Sequence, residues 1–134
     1  MHAKWDHLVG MEGRATVAVT PELTVRHHVP AMPAVYSTVS MILLMEIAAG
    51  EAIQAALPAG WVSVGVDVQV RHTAATPVGR TVTGYAKVTE VSDKLVTFDV
   101  EVRDGERVVG AGMHSRAPID VARFERSLAA LQAE

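Results

Sequence analysis

Hydrophobic and polar positions along the chain change period several times, and each change marks an element. Residues 1 to 13 show no clear period and read as irregular chain or a short turn. Arg14 to Thr20 alternates, with Ala15, Val17 and Val19 on one side, and predicts a first strand. Thr24 to Pro33 is broken by Pro30 and Pro33 and reads as a loop. Val35 to Leu57 is rich in Ala, Leu and Met and is stopped by Pro58, which predicts a long helix capped by Ser37 or Thr38. The period then drops to two. Val62, Val64, Val66, Val68 and Val70 alternate with Ser63, Gly65, Asp67, Gln69 and Arg71, and His72 continues the valine face, the one expected to meet the core.

Thr73 to Gly79 predicts a turn, and Thr81 to Thr89 and Lys94 to Arg103 two more strands. Their inward positions are Val82, Ala86, Val88, Val96, Phe98, Val100 and Val102. Asp104-Gly105 signals a hairpin into a last strand from about Arg107 to Ile119. Gly110 and Gly112 there suggest a bulge or a closely approached backbone, and His114 and Arg116 share a parity. Asp120 is placed to cap a final helix with Val121, Phe124, Leu128 and Leu131 as its apolar stripe. The order is strand, long helix, four strands expected as a meander, then a short helix. So apolar a helix needs cover on most sides. A curved antiparallel sheet wrapped round it is the simplest α+β solution, the hotdog fold, here one domain over residues 1–134. Such a sheet ends in a free edge, so a homodimer or higher homo-oligomer is expected.

Composition narrows the function classes. A formal net charge of -3 and the lack of a basic cluster argue against a nucleic-acid partner. With no cysteine there are no disulfides, thiolate metal sites or Cys nucleophiles. The first seven residues lack the apolar core of a signal peptide. Glu46, Glu51 and Gln54 interrupt the apolar helix, which rules out a membrane span of ~20 apolar residues. A cytoplasmic protein is the expectation. Six histidines are present, but no ligand spacing supports a metal site, and the adjacent His27 and His28 would point apart on a strand.

Glu46 is the residue out of place. Val39, Ile42, Leu43, Ala49, Gly50 and Ile53 lie three, four or seven positions away, and the helix has no Lys or Arg to pair with it. A carboxylate so surrounded is expensive to bury, so either this face is exposed or the residue has a task. Thr38 lies eight positions earlier, slightly over two turns away, and His72 ends a strand facing the helix. A carboxylate, a hydroxyl and an imidazole are the parts of a hydrolytic site. Taken singly, each has a plainer reading: a solvated face, an N-cap, a core histidine.

Four stretches add a resemblance: Thr24-Val-Arg-His27, Ser37-Thr-Val-Ser-Met-Ile-Leu-Leu-Met-Glu46, Val70-Arg-His-Thr-Ala-Ala-Thr-Pro-Val-Gly79 and Gly112-Met-His-Ser-Arg116. Together they resemble the fluoroacetyl-CoA-specific thioesterase and its relatives in the hotdog superfamily, over about residues 12 to 126. The resemblance implies hydrolysis of a small acyl-CoA, with Thr38, Glu46 and His72 catalytic. It implies Gly65 and Arg116 as substrate-binding, CoA as part of the substrate, and no further cofactor. Thr38 would hold the Glu46 carboxylate, Glu46 would attack the thioester or activate water, and His72 would assist. Which protomer supplies His72 to Glu46 stays open. The segment Pro30 to Tyr36 is shorter than its counterpart in the fluoroacetyl-specific enzyme and has no Phe, so fluoroacetyl selectivity is not expected. The alternative is a non-catalytic acyl-CoA or small-ligand binding domain.

Overall fold

The computed structural model describes residues 4–134, so the irregular start expected at residues 1–3 lies outside the described part of the chain. A 3-10 turn at Asp6–Leu8, with Trp5 and Leu8 buried, leads into β1 (Glu12–Ala18), whose Ala15 and Val17 face inward. The stretch expected to be loop contains a second 3-10 turn (Pro21–Leu23) and one helical turn, α1 (Val25–His28). That turn ends at Val29, which precedes Pro30 and is extended (φ -129°, ψ 94°), as a residue before proline prefers.

The long helix, α2, runs Thr38–Gln54. Ser37 is its N-cap, its Oγ accepting from the Ser40 N–H at 3.1 Å, which leaves the Thr38 hydroxyl free for other work. Met41, Leu44, Met45, Ala48, Ala49 and Ile53 form its buried side. Gly13 lets β1 lie directly on the helix: a Cβ there would sit 2.6 Å from the Ala52 nitrogen.

Four more strands follow, β2 (Trp61–His72), β3 (Thr81–Val91), β4 (Val96–Asp104) and β5 (Arg107–Asp120). They pair with β1 in one antiparallel sheet of order β1-β3-β4-β5-β2. The sheet curls around α2, which touches all five strands, giving the hotdog architecture. All seven positions predicted to face inward on β3 and β4 are buried against the helix. The meander is confined to β3, β4 and β5. β2 instead lies at the far edge beside β5, because Thr73 to Arg80 carries the chain across the end of the sheet. On the way the Tyr36 N–H donates to the Thr76 carbonyl at 2.8 Å, and the Val19 N–H to the Arg80 carbonyl at 2.8 Å. Arg80 and Arg107 both pair with the buried Asp104 carboxylate, at 2.9 and 3.3 Å, and Arg107 also donates to the Ala75 carbonyl at 2.7 Å. These bonds fasten the crossing segment to the β4–β5 hairpin.

Two bulges matter. In β5, Val109 is the extra residue opposite Val102 and Arg103, next to Gly110, as its glycines suggested. In β2, Val66 is extra between Gly65 and Asp67. The sheet leaves one stripe of α2 uncovered: Val39 (74% exposed), Leu43 (55%) and Ile47 (46%). Asp120 caps the final helix, α3 (Val121–Gln132), by accepting from the Arg123 N–H at 3.3 Å, and Phe124, Leu128 and Leu131 of its stripe are exposed. Among the described residues, no helix is long and apolar enough to cross a membrane.

Candidate active site

Two groups of the predicted residues come together, one at the start of α2 and one near its middle. The first joins the start of the helix to the end of β2. Thr38 Oγ1 lies 2.9 Å from His72 Nδ1, and the Tyr36 ring meets the imidazole edge-on with centroids 6.3 Å apart. Burial holds the His72 pKa below the ordinary histidine value, which favours the neutral ring. Its Nε2 is buried and has no hydrogen-bond partner among the described residues. Burial also pushes the Tyr36 phenol up to about 12, so it stays a donor, to the Ser40 carbonyl at 3.2 Å. This pair borders a cleft of about 620 Å³ whose walls include Val25, Val29, Met32, Val35, Val39 and Ala74. The cleft is mainly apolar, with His28, Ser37, Thr38, His72 and Thr73 as further lining residues.

The second group surrounds Glu46. No helical cation pairs with it, but Arg116 on β5 does, Nη1 to Oε2 at 3.9 Å. Gly65 faces the same carboxylate: a Cβ there would be 2.9 Å from Glu46 Oε1 and 3.3 Å from His114 Cε1. Glycine there lets the Glu46 carboxylate lie close against the β2 backbone. Arg116 is itself buried and clamped. Its Nε donates to Ser63 Oγ at 2.8 Å and its Nη2 to the Ser63 carbonyl at 2.7 Å. Its Nη1 lies 3.1 Å from His114 Nε2. Burial pulls the Arg116 pKa down and Glu46 pushes it up. Glu46, Arg116, Leu43, Ile47 and Gly50 line a groove of about 270 Å³.

The bulge at Val66 corrects the reading of β2. Sequence parity put Gly65 on the face opposite to the valines and His72. The extra residue flips the strand between them, so Ser63 and Gly65 before the bulge and Val68, Val70 and His72 after it share the helix side. Val66 is 57% exposed instead. Ser63 and His114 went unassigned in the sequence. Ser63 was hidden by the bulge, while His114 showed its parity with Arg116 but not its burial.

A second correction concerns Thr38. Within one chain its hydroxyl meets His72, not the Glu46 carboxylate. Eight residues at 1.5 Å each put the two about 12 Å apart along the helix. His27 and His28 meet edge to face at 5.1 Å on α1. Among the described residues no group of three or more His, Asp or Glu is placed to hold a metal.

Comparison with known proteins gives this geometry its context. The chain is 38% identical, over 112 residues, to the fluoroacetyl-CoA thioesterase of Streptantibioticus cattleyicolor, covering 79% of this chain and 81% of that one. A solved structure of the fluoroacetyl-CoA thioesterase FlK superimposes with a TM-score of 0.83 at 36% identity, covering 90% of this chain and 93% of that one. A point mutant of FlK in complex with fluoroacetate and CoA gives 0.79 at 37% identity, covering 87% and 98%. A thioesterase superfamily member of Thermus thermophilus gives 0.87 at 28% identity, covering 93% of each chain. The profile of the fluoroacetyl-CoA-specific thioesterase family matches residues 19–122, and the chain belongs to that family of hotdog thioester hydrolases.

Proposed function

We propose that this protein hydrolyses acyl-CoA thioesters whose acyl group is apolar and larger than acetyl, in sites shared between two copies of the chain. The observation that carries the reading is the apolar cleft bordered by the Thr38–His72 pair. A two-carbon acyl group would leave most of its roughly 620 Å³ empty, whereas Val25, Val29, Met32, Val35 and Ala74 offer apolar contact to a longer, branched or aromatic one. Each further buried methylene is worth about 0.8 kcal/mol, roughly fourfold in affinity.

In this reading Glu46 drives addition to the thioester carbonyl, directly or through a water it deprotonates. Arg116 and the bare backbone at Gly65 flank the carboxylate where the reacting group would lie. The Thr38 hydroxyl and neutral His72 form the relay that returns a proton to the departing CoA thiolate. Water and thioester become acid and thiol, and no cofactor takes part; CoA enters as half of the substrate. A second copy brings the two groups together. Val39, Leu43 and Ile47 are an apolar stripe flanking both, and β2 is a twelve-residue edge strand open to pairing. The point midway between Thr38 and Glu46 is Ile42. A twofold axis passing near it, with the helices antiparallel, sets each Thr38 opposite the other copy's Glu46.

The test is thiol release over a panel of acetyl-, fluoroacetyl-, butyryl-, hexanoyl-, isovaleryl- and phenylacetyl-CoA, with Glu46→Gln in parallel. The expected result is a kcat/KM at least tenfold higher on hexanoyl- or phenylacetyl- than on acetyl-CoA, and loss of turnover in Glu46→Gln with the fold unchanged. Preference for fluoroacetyl-CoA would overturn the substrate class, and undiminished turnover by Glu46→Gln the mechanism.

A further inference from the structure

The geometry points to His114 as a positioning residue that holds the Arg116 guanidinium against Glu46, an inference that rests on Glu46 and Arg116 belonging to the substrate site. His114 is 1% exposed and stacks on Phe98, ring centroids 6.1 Å apart and planes inclined by 26°. An imidazole so buried is destabilising unless both nitrogens find partners, and here both do. Nδ1 lies 2.8 Å from the Asp67 carbonyl oxygen and Nε2 lies 3.1 Å from Arg116 Nη1.

Those two partners leave one protonation state. A carbonyl oxygen only accepts, so Nδ1 carries the hydrogen. A guanidinium only donates, so Nε2 offers its lone pair. His114 is therefore the neutral Nδ1–H tautomer, and the low-dielectric site agrees, since burial is the main cause holding its pKa below the ordinary value.

The consequence falls on Arg116. Of its five N–H donors, one is fixed by Ser63 Oγ, one by the Ser63 carbonyl and one by His114 Nε2. Two remain, one on Nη2 and one on Nη1, the nitrogen that lies 3.9 Å from Glu46 Oε2. Ser63 holds one edge of the planar fork, and His114 holds the nitrogen that faces the carboxylate. A carboxylate at position 114 could accept the same hydrogen, but it would neutralise the cation and compete with Glu46 or an anionic intermediate. A neutral imidazole fixes direction and leaves the charge intact. Position 114 also spans the bulge, since Asp67 is the first residue past Val66 and its carbonyl is the anchor for the ring. The side chain thus ties the irregular turn of β2 to the orientation of Arg116.

Two measurements on the intact chain test this. Proton–nitrogen correlation spectra of the histidines should show His114 as the neutral Nδ1–H tautomer, with an Nε2 resonance that moves on Arg116→Gln. An Nε2–H tautomer, a charged ring, or an Nε2 signal indifferent to Arg116→Gln would overturn the inference, whatever the enzyme hydrolyses. The second is a double-mutant cycle on acyl-CoA hydrolysis. His114→Asn retains an N–H for Asp67 but cannot reach Arg116, and should lower kcat/KM by roughly ten- to hundredfold. His114→Gln presents an amide oxygen near the old Nε2 position and should recover much of that loss. Arg116→Gln should be impaired, and His114→Asn added to it should cost no more than about twofold further. Multiplicative losses, or wild-type kinetics in His114→Asn, would overturn the positioning role. An unimpaired Arg116→Gln would instead remove the reading of the site, leaving the tautomer result to stand alone.

Discussion

His72 carries two demands that a surface histidine would not meet. Its Nδ1 is engaged by Thr38 and its Nε2 is buried without a partner among the described residues, so the charged form is penalised. The sign of the pH effect follows. Burial lowers the folded-state pKa of His72, so near pH 6.5 and below, the unfolded chain binds more protons than the folded one. The stability that His72 contributes is fully present above about pH 6.5, the unfolded value, and is lost as pH falls through the lower folded value. His114 is shifted the same way, first by desolvation and also by Arg116, against the opposing pull of the Asp67 carbonyl and Glu46. Urea unfolding between pH 8 and pH 5 should show stability falling on the acid side, with a shallower fall in His72→Gln. Parallel curves for the two proteins would count against burial as the cause.

At the scale of elements, β2 and the crossing that follows it decide where the site residues point. The neighbouring turn is held by Asp104, a buried carboxylate gripped by the half-exposed guanidinium groups of Arg80 and Arg107; the Arg80 hydrogen bond is the main cause holding its pKa below the usual carboxylate range. Asp104→Ala should lower stability by about 1–2 kcal/mol, since both arginines can return to water rather than be left buried. A thermal melt indistinguishable from wild type would show that the crossing is held by its backbone bonds alone. How much of this was legible in the sequence differs by strand. The inward faces of β3 and β4 were readable, though their ends were not: burial on the helix side enforces alternation from Val82 to Val88 and from Val96 to Val102, while the strands run to Val91 and from Val96 to Asp104, with a register shift at Thr89. β2 has the same alternation in sequence, but Val66 is an inserted residue, and nothing in Val-Gly-Val-Asp distinguishes a bulge from a regular strand except the glycine. Alternation also carries no information about which strand lies beside which. The hint was length: Thr73 to Arg80 is too long for a tight hairpin, and it takes β2 to the edge.

At the scale of the whole molecule, the chemistry-bearing residues were identifiable but their division was not. Thr38, Glu46 and His72 stood out by type, and the helix spacing already set two of them about 12 Å apart along the axis. What the sequence could not display is that the sheet leaves the Val39–Leu43–Ile47 stripe uncovered, between two half-sites, on a chain whose β2 edge is free. Sharing between copies has a sharp consequence. Glu46→Ala and His72→Ala should each be inactive as homodimers. Co-expressed with different tags and purified through both, the heterodimer combines one site carrying both lesions with one site carrying neither. It should therefore regain about half of wild-type activity per dimer. If both groups acted within one chain, each site of the heterodimer would carry one lesion and no activity would return. Failure to isolate a doubly tagged species would remove the dimer itself. Half activity, by contrast, requires that Glu46 of one protomer work with His72 of its partner, which is the arrangement the uncovered helix stripe invites.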